Sequence, residues 1–95
     1  MKLTNKSASG TSFHGDTIKA TYNELVEALG GPPQYTNGDK SNYDWTCETN
    51  DGTVFTVYDW KEYRKFGDDE TIEWHIGANT PTDSSQAFFE LIEIL

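Results

Sequence analysis

Cysteine, proline and basic side chains are scarce in this sequence. It has one cysteine (Cys47), three prolines and seven Lys or Arg residues in 95. A single cysteine excludes an internal disulfide and any multi-cysteine metal site. The sixteen acidic residues leave a formal net charge of −9, which repels phosphate backbones and anionic lipid. We therefore expect no direct binding to nucleic acid.

Long hydrophobic runs are also missing. No apolar run approaches the roughly 20 residues that a membrane-spanning helix needs, and the start MKLTNKSASG lacks the apolar segment of a secretion signal. We expect a soluble cytoplasmic protein that does not bind a membrane. Residues 1–10 are interpreted as a flexible arm or a short edge strand. No repeat or linker divides the chain, so 1–95 is interpreted as one domain.

One short helix is signalled near the start. Thr21 and Glu24 have the spacing of a capping box, in which each side chain accepts a hydrogen bond from the other residue's backbone amide. Apolar residues then fall on one side: Leu25, Val26 and Leu29. The run GGPP at 30–33 ends the helix. The pattern predicts a helix of about two to three turns that begins after Thr21.

The middle of the chain alternates between apolar and polar residues, which is typical of half-buried strands. Two such runs flank Asn50-Asp51-Gly52. A three-residue loop with Gly52 in the left-handed conformation would pair Cys47 with Phe55 and Trp45 with Val57. A two-residue Asp-Gly turn would instead place Glu48 opposite Phe55. We prefer the first register, because it keeps acidic side chains off the apolar face.

A third strand and a second helix complete the pattern. Residues 72–76 (IEWHI) alternate again. After Pro81, either Asp83 or Ser84 is the expected N-cap of a C-terminal helix. Its apolar stripe is predicted to contain Phe88, Leu91, Ile92 and Leu95. Phe89 and Ile94 lie off that stripe and either widen the buried face or form a partner surface, such as a homodimer contact.

These elements predict an α+β domain. We expect an antiparallel sheet of three to four strands, with a short N-terminal helix and a C-terminal helix packed on one face. The fourth strand would be a short one at residues 11–13.

The same alternation predicts which side chains lie on the sheet face away from the helices. If Trp45, Val57 and Trp74 are buried, the opposite face carries five candidate binding residues: Asp44, Tyr58, Trp60, Glu73 and His75. Lys61, at the end of the strand, is the sixth candidate. Aromatic residues concentrate at binding hot spots. The alternative is structural: Trp60 covers the sheet edge, and His75 bonds to Glu73 or to a backbone carbonyl.

His75 is also a candidate general base or metal ligand. The only other histidine is His14, and no serine stands in a nucleophile elbow. The glycines match no phosphate-binding loop. We therefore expect no catalytic residue, no metal and no cofactor.

Much of the negative charge falls in the hairpin and its flanking loops: Asp39, Asp44, Glu48, Asp51, Asp68, Asp69 and Glu70. A solvated acidic surface that keeps the protein soluble is the default interpretation. The alternative is mimicry of nucleic acid toward a basic groove on another protein, which would gain association rate from electrostatic steering.

Three segments, GTSFHGDTIKATYNELVEALGGP, DGTVFTVYDWK and EWHIG, resemble a family of small proteins encoded by bacteriophages and prophages. The resemblance covers nearly all of the chain beyond residue 10 and is strongest in the motifs YDWK and WHIG. This chain departs from the family at Ala78, where a second glycine is common; if that glycine permits close ligand approach, Ala78 argues against a small-molecule site. The resemblance implies a phage accessory protein that acts on host machinery or host defence, and it implies no particular activity.

Two functions follow as hypotheses. The first is a non-enzymatic protein that binds and inhibits a host protein, for example a CRISPR effector or another nuclease, in an anti-CRISPR or other anti-defence role. The second is a small-ligand binder that sequesters a nucleotide signal, with Trp60 stacking on a base and Lys61 or Arg64 contacting a phosphate.

Overall fold

The computed structural model describes residues 1–36, 41–62 and 65–95. In this part of the chain, six strands and two helices occur in the order β1 (Lys2–Leu3), β2 (Ser12–Ala20), α1 (Tyr22–Leu29), β3 (Tyr35–Thr36), β4 (Tyr43–Glu48), β5 (Val54–Asp59), β6 (Ile72–Ala78) and α2 (Pro81–Ile94). The strands form one antiparallel sheet in the order β1-β4-β5-β6-β2, and β3 also pairs with β4. The fold is α+β as predicted, but the described sheet has six strands rather than three to four.

The largest difference from the sequence prediction is β2, which extends well beyond the short strand expected at 11–13. It pairs with β6 from Ser12 to Ala20, with an irregularity between Phe13 and Thr17. Gly15 lies inside this irregularity at φ 104°, a conformation that costs glycine little. The bulge breaks the period of two, so the alternation that identified the other strands is lost here.

The β4–β5 hairpin has the predicted register. Cys47 pairs with Phe55 and Trp45 with Val57. The Thr49 amide donates to the Thr53 carbonyl at 2.9 Å, and Gly52 has φ 88°. A left-handed glycine in the three-residue loop therefore sets which residues of both strands are buried.

Helix α1 also begins and ends where its sequence signals lie. The Thr21 hydroxyl accepts from the Glu24 amide at 3.0 Å, and the Thr21 amide donates to Glu24 Oε1 at 2.8 Å. Gly30 is left-handed at φ 94° and its amide donates to the Val26 carbonyl. Two predicted apolar residues, Leu25 and Leu29, are fully buried.

The prediction for α2 was wrong at its start and in part of its stripe. The N-cap is Thr80, whose hydroxyl accepts from the Asp83 amide at 3.0 Å, and Pro81 occupies the first turn. Proline suits this position because the N–H groups of the first helical turn have no acceptor within the helix, so no helical hydrogen bond is lost. The buried residues are Ser84, Ala87 and Leu91. Four large apolar residues near the C-terminal end are exposed instead: Phe89, Ile92, Ile94 and Leu95.

The core lies between the helices and one face of the sheet. Trp45 and Trp74 are fully buried at its centre, with ring centroids 5.3 Å apart in an edge-to-face arrangement. Both indole N–H groups are satisfied: Trp45 donates to the Gly31 carbonyl and Trp74 to the Ala20 carbonyl. The core thus occupies one side of the sheet and leaves the other side uncovered by helices. Neither described helix has the length and apolar composition of a transmembrane span.

Candidate functional site

The sheet register brings predicted site residues into one line on the face opposite the helices, which we call the open face. Tyr35 pairs with Asp44, Asp44 with Tyr58, and Tyr58 with His75. Directly paired residues of antiparallel strands point to the same side of the sheet. The open face therefore carries a line of one carboxyl, two phenols and one imidazole across four strands.

Four rings on this face pack together, and we call them the ring cluster: Phe13, Tyr58, Trp60 and His75. The His75 ring stacks on Phe13, with centroids 4.2 Å apart, and on Trp60 at 6.1 Å. The Tyr58 ring lies 5.7 Å from His75 and 6.1 Å from Trp60. Phe13 is 42% exposed and Trp60 is 41% exposed, so the cluster leaves a large aromatic surface in contact with solvent.

The packing of His75 favours the neutral form of its imidazole. Burial lowers the pKa of His75, and the nearby Glu73 carboxylate opposes that effect. Burial of an ionisable base disfavours its charged form. At neutral pH, His75 therefore adds an uncharged ring to the cluster.

The motif YDWK splits between the two faces of the sheet. Tyr58 and Trp60 belong to the ring cluster, whereas Asp59 is fully buried. Its carboxylate accepts from the Asn42 amide, the Asn42 side chain and the Tyr43 amide at 2.8–3.0 Å. Asp59 thus anchors the start of β4 to the end of β5, which is a structural role.

Lys61 and Glu73, two further predicted site residues, lie at the margin of the ring cluster. Lys61 is left-handed at φ 57° and ends the motif just after β5. Its Nζ lies 5.6 Å from the Trp60 ring centroid, within the range of a cation–π interaction. Glu73 is exposed and pairs with Lys19 of β2.

The motif WHIG places its last residue, Gly77, at the centre of the open face. A Cβ at this position would lie 2.5 Å from Thr56 Oγ1 and 3.4 Å from Tyr58 Cε1, so any larger residue would force the Thr56 side chain to move. The next residue, Ala78, is fully buried and points to the other side of the sheet, since successive residues of a strand alternate. The Ala78 side chain therefore does not lie on the open face.

A recess of about 300 Å³ opens above Gly77. Strands β4, β5 and β6 form its floor. Its sides are formed by Ala8 and Thr11 between β1 and β2, by Tyr35 of β3 and by Trp60 after β5. The lining includes Ala8, Thr11, Tyr35, Asp44, Thr46, Thr56, Tyr58, Trp60 and Gly77. The recess and the ring cluster share Tyr58 and Trp60, so they form one continuous site.

Asp44 is the ionisable group of the recess that burial affects most. Burial and, to a smaller extent, repulsion by Asp59 raise the pKa of Asp44 to about 6. Asp44 Oδ1 is shielded from solvent and has no hydrogen-bond partner among residues 1–36, 41–62 and 65–95. Tyr58 also has a raised pKa, because it is partly buried and lies close to the Asp44 carboxylate.

Several acidic residues outside the recess have structural partners. Glu48 forms ion pairs with Lys2 and Lys6. Asp51 accepts hydrogen bonds from Thr49 and Thr53 in the hairpin loop, and Asp69 accepts from Asn23 at 2.8 Å. These contacts favour a structural interpretation over phosphate mimicry for the acids involved. Asp39, and the candidate phosphate contact Arg64, lie outside the described residues.

The arrangement offers stacking surfaces, hydroxyl groups and one carboxyl. No group of three or more His, Cys, Asp or Glu side chains in the described ranges could hold a metal ion. The Cys47 thiol is buried, and this burial raises its pKa to about 12, so the thiol is protonated and unreactive at neutral pH.

Two residues of the site could not be found from the sequence pattern. Phe13 joins the ring cluster through β2, whose alternation is broken by the bulge. Tyr35 pairs with Asp44 through a two-residue strand, and a strand of that length leaves no periodic signal. The run TIKA at 17–20 does alternate and is the one signal from which β2 could have been extended.

The chain matches no family model, and no curated protein or solved structure matches it.

Proposed function

We propose that the protein is a small acidic binding protein, without a catalytic step, that contacts a host protein through the ring cluster and inhibits it. The observation that carries this proposal is that Phe13 and Trp60 remain more than 40% exposed beside two other rings on a face without helices. Clustered, rigid aromatic rings are the usual anchors of protein interfaces.

Charge and sequence context support the same proposal. A net charge of −9 steers the protein toward a basic surface and speeds association with it. The resemblance of YDWK and WHIG to phage-encoded proteins suggests that the partner is a bacterial defence component, such as a CRISPR effector or another nuclease. A nucleic-acid-binding partner would present the complementary basic surface.

The test compares two exposed aromatic residues on different surfaces. Trp60→Ala removes a ring of the cluster, and Phe89→Ala removes the 64% exposed ring of α2. Each tagged variant is used to capture proteins from a bacterial lysate, and captured proteins are quantified by mass spectrometry against wild type. We expect Trp60→Ala to reduce a specific captured protein by at least about tenfold, while Phe89→Ala retains it.

The opposite pattern would assign the interface to α2 and overturn the proposal. Thermal unfolding of both variants provides the control for folding. Phe89 is 64% exposed, so its replacement should cost at most about 1 kcal/mol. Trp60 is 41% exposed and packs against the rings of Tyr58 and His75, so its replacement should cost about 1–3 kcal/mol. A much larger loss for Trp60→Ala would identify this ring as a packing residue.

A second candidate function is the sequestering of a nucleotide signal. The Trp60 ring with the Lys61 ammonium 5.6 Å away offers a stacking surface next to a cation, which suits a base and its phosphate. The carboxyl of Asp44 in the adjoining recess opposes it, because it repels phosphate. A thermal-shift screen with cyclic and linear nucleotides tests this function: a saturable rise in Tm favours it, and no rise with any of them rejects it.

A further inference from the structure

Asp44 is exceptional among the carboxyl groups near the sheet. Asp59 receives hydrogen bonds from residues 42 and 43, Asp16 accepts from the Ser84 hydroxyl at 2.6 Å, and Glu48 has two lysine partners. Two carboxylate oxygens in the described ranges are shielded from solvent and lack a hydrogen-bond partner, Asp44 Oδ1 and Glu48 Oε2. Glu48 Oε2 has the ammonium of Lys6 beside it, whereas no cation lies against Asp44 Oδ1 among the described ion pairs. Buried polar atoms are paired in the great majority of cases, so an unpaired one beside an open recess points to a missing donor.

The surroundings of Asp44 restrict what this donor is. Tyr35 and Tyr58 flank Asp44 in the sheet register, and Trp60 lines the same recess together with the hydroxyls of Thr46 and Thr56. A carboxylate with aromatic rings on both sides attracts a cation by charge and through the faces of the rings. The net charge of −9 adds to this attraction.

We propose that the recess binds the guanidinium group of an arginine side chain presented by the partner protein. A guanidinium is planar, stacks on aromatic rings and donates two parallel hydrogen bonds to one carboxylate. It is also more weakly hydrated than the ammonium of lysine, so it loses less on entering a partly closed recess. The volume of about 300 Å³ accommodates this group and the end of its aliphatic stem.

This inference deepens the proposed function, because it names the group that the partner inserts beside the ring cluster. It can nevertheless be tested without the partner. The probe is Nα-acetyl-arginine amide, which carries a single guanidinium and no free carboxylate. Nα-acetyl-citrulline amide is the matched control, since it has nearly the same shape and no charge, and Nα-acetyl-lysine amide replaces the guanidinium by an ammonium.

Binding is followed by NMR titration of the backbone amides at low salt. We expect saturable shifts for the arginine probe at Asp44, Tyr58 and Gly77, with at least tenfold weaker binding of the citrulline probe and at least threefold weaker binding of the lysine probe. Asp44→Asn should weaken arginine binding at least tenfold. Tyr35→Ala should weaken it as well, and this 67% exposed residue can be replaced without disturbing the core.

Equal binding of the arginine and citrulline probes, or undiminished binding to Asp44→Asn, would overturn the inference. So would shifts confined to the acidic loop at Asp68 and Asp69, or a nucleotide that shifts the recess amides when the arginine probe does not. If the arginine probe binds the recess but Trp60→Ala leaves protein capture intact, guanidinium binding by the recess is confirmed and the ring cluster is excluded as the interface with the captured protein. If capture depends on Trp60 but the arginine probe does not bind, the ring cluster is confirmed as the interface and the arginine inference is overturned.

Discussion

Replacing Asp44 by Asn should make the protein more stable at neutral and alkaline pH. The pKa of Asp44 is raised from its usual 3.8 to about 6, first by burial and then by repulsion from Asp59. Above pH 6, the folded state therefore contains an ionised carboxyl that would be more stable in the unfolded chain. Asparagine has the same shape and no charge, so it removes this cost.

The size of the effect follows from the two pKa values. The difference between 3.8 and about 6 corresponds to about 3 kcal/mol. Because Asp44 is partly open to the solvent-filled recess, we reduce this to about 1–2 kcal/mol. Between pH 3.8 and about pH 6, the native state binds more protons at Asp44 than the unfolded state does. The free energy of unfolding therefore falls as the pH rises through this range.

The assay is urea unfolding followed by tryptophan fluorescence at pH 8 and pH 3, for wild type and Asp44→Asn. We expect the variant to be more stable by about 1–2 kcal/mol at pH 8 and equal to wild type at pH 3, where the carboxyl is protonated in both states. Asp51→Asn is a control of opposite sign. Hydrogen bonds from Thr49, Gln86 and Thr53 lower the pKa of Asp51, so its removal should reduce stability at pH 8.

If Asp44→Asn is less stable than wild type at pH 8, or if it gains the same stability at pH 8 and pH 3, the ionised Asp44 carboxyl is not the source of the cost. A confirmed gain would show that the ionised Asp44 carboxyl lowers the stability of the free protein, which is expected of a binding group that lacks its partner.

Three further predictions concern the scaffold of the site, all measured by urea unfolding. Trp74→Phe leaves a cavity and removes the hydrogen bond from the indole to the Ala20 carbonyl. It should lower the free energy of unfolding by about 2–3 kcal/mol. A loss below about 0.5 kcal/mol would contradict the central position of this ring. In the wild type, the backbone amides of Asn42 and Tyr43 donate to the Asp59 carboxylate. Asp59→Asn places an NH2 donor against these amides and should lower the free energy of unfolding by about 2–3 kcal/mol. An unchanged stability would refute the anchoring role of Asp59. Gly77→Ala would bring a Cβ to 2.5 Å from Thr56 Oγ1 and should lower the free energy of unfolding by about 1–3 kcal/mol. Adding Thr56→Ala to this variant should recover part of the loss. Strictly additive effects of the two substitutions would argue against the contact.

Local signals predicted the parts of the fold that local chemistry controls. The capping box at Thr21 and the glycine at position 30 delimit α1, and Gly52 fixes the register of the hairpin. The period of two in the strands is enough to place Asp44, Tyr58 and His75 on one face of the sheet. These elements could be predicted because each depends on a few neighbouring residues.

The parts that were missed depend on contacts between distant segments. The bulge at Gly15 interrupts the alternation of β2, so the period connects neither the two halves of that strand nor Phe13 to the run at 17–20. β3 exists only because Tyr35 and Thr36 pair with β4. The predicted stripe of α2 was wrong for Ile92 and Leu95, because helical periodicity shows an apolar side but not how much of it the sheet covers.

The recess likewise has no counterpart in the sequence pattern. It depends on Gly77, which leaves space for the Thr56 side chain, and on walls supplied by Ala8 and Tyr35 from two other segments. The raised pKa of Asp44 results from the same assembly. Sequence reasoning could identify Asp44 as a surface acid, but not as a buried carboxyl without a hydrogen-bond donor.

The central claim, that the open face is the binding surface, is tested most directly by hydroxyl-radical footprinting of the protein free and in complex with a captured partner. This method reports the solvent contact of individual side chains, and it suits the site because Phe13 and Trp60 are both exposed in the free protein. We expect oxidation of Phe13 and Trp60 to fall several-fold in the complex, while oxidation of Phe89 on α2 is unchanged. Protection of Phe89 with full oxidation of Trp60 would contradict the claim.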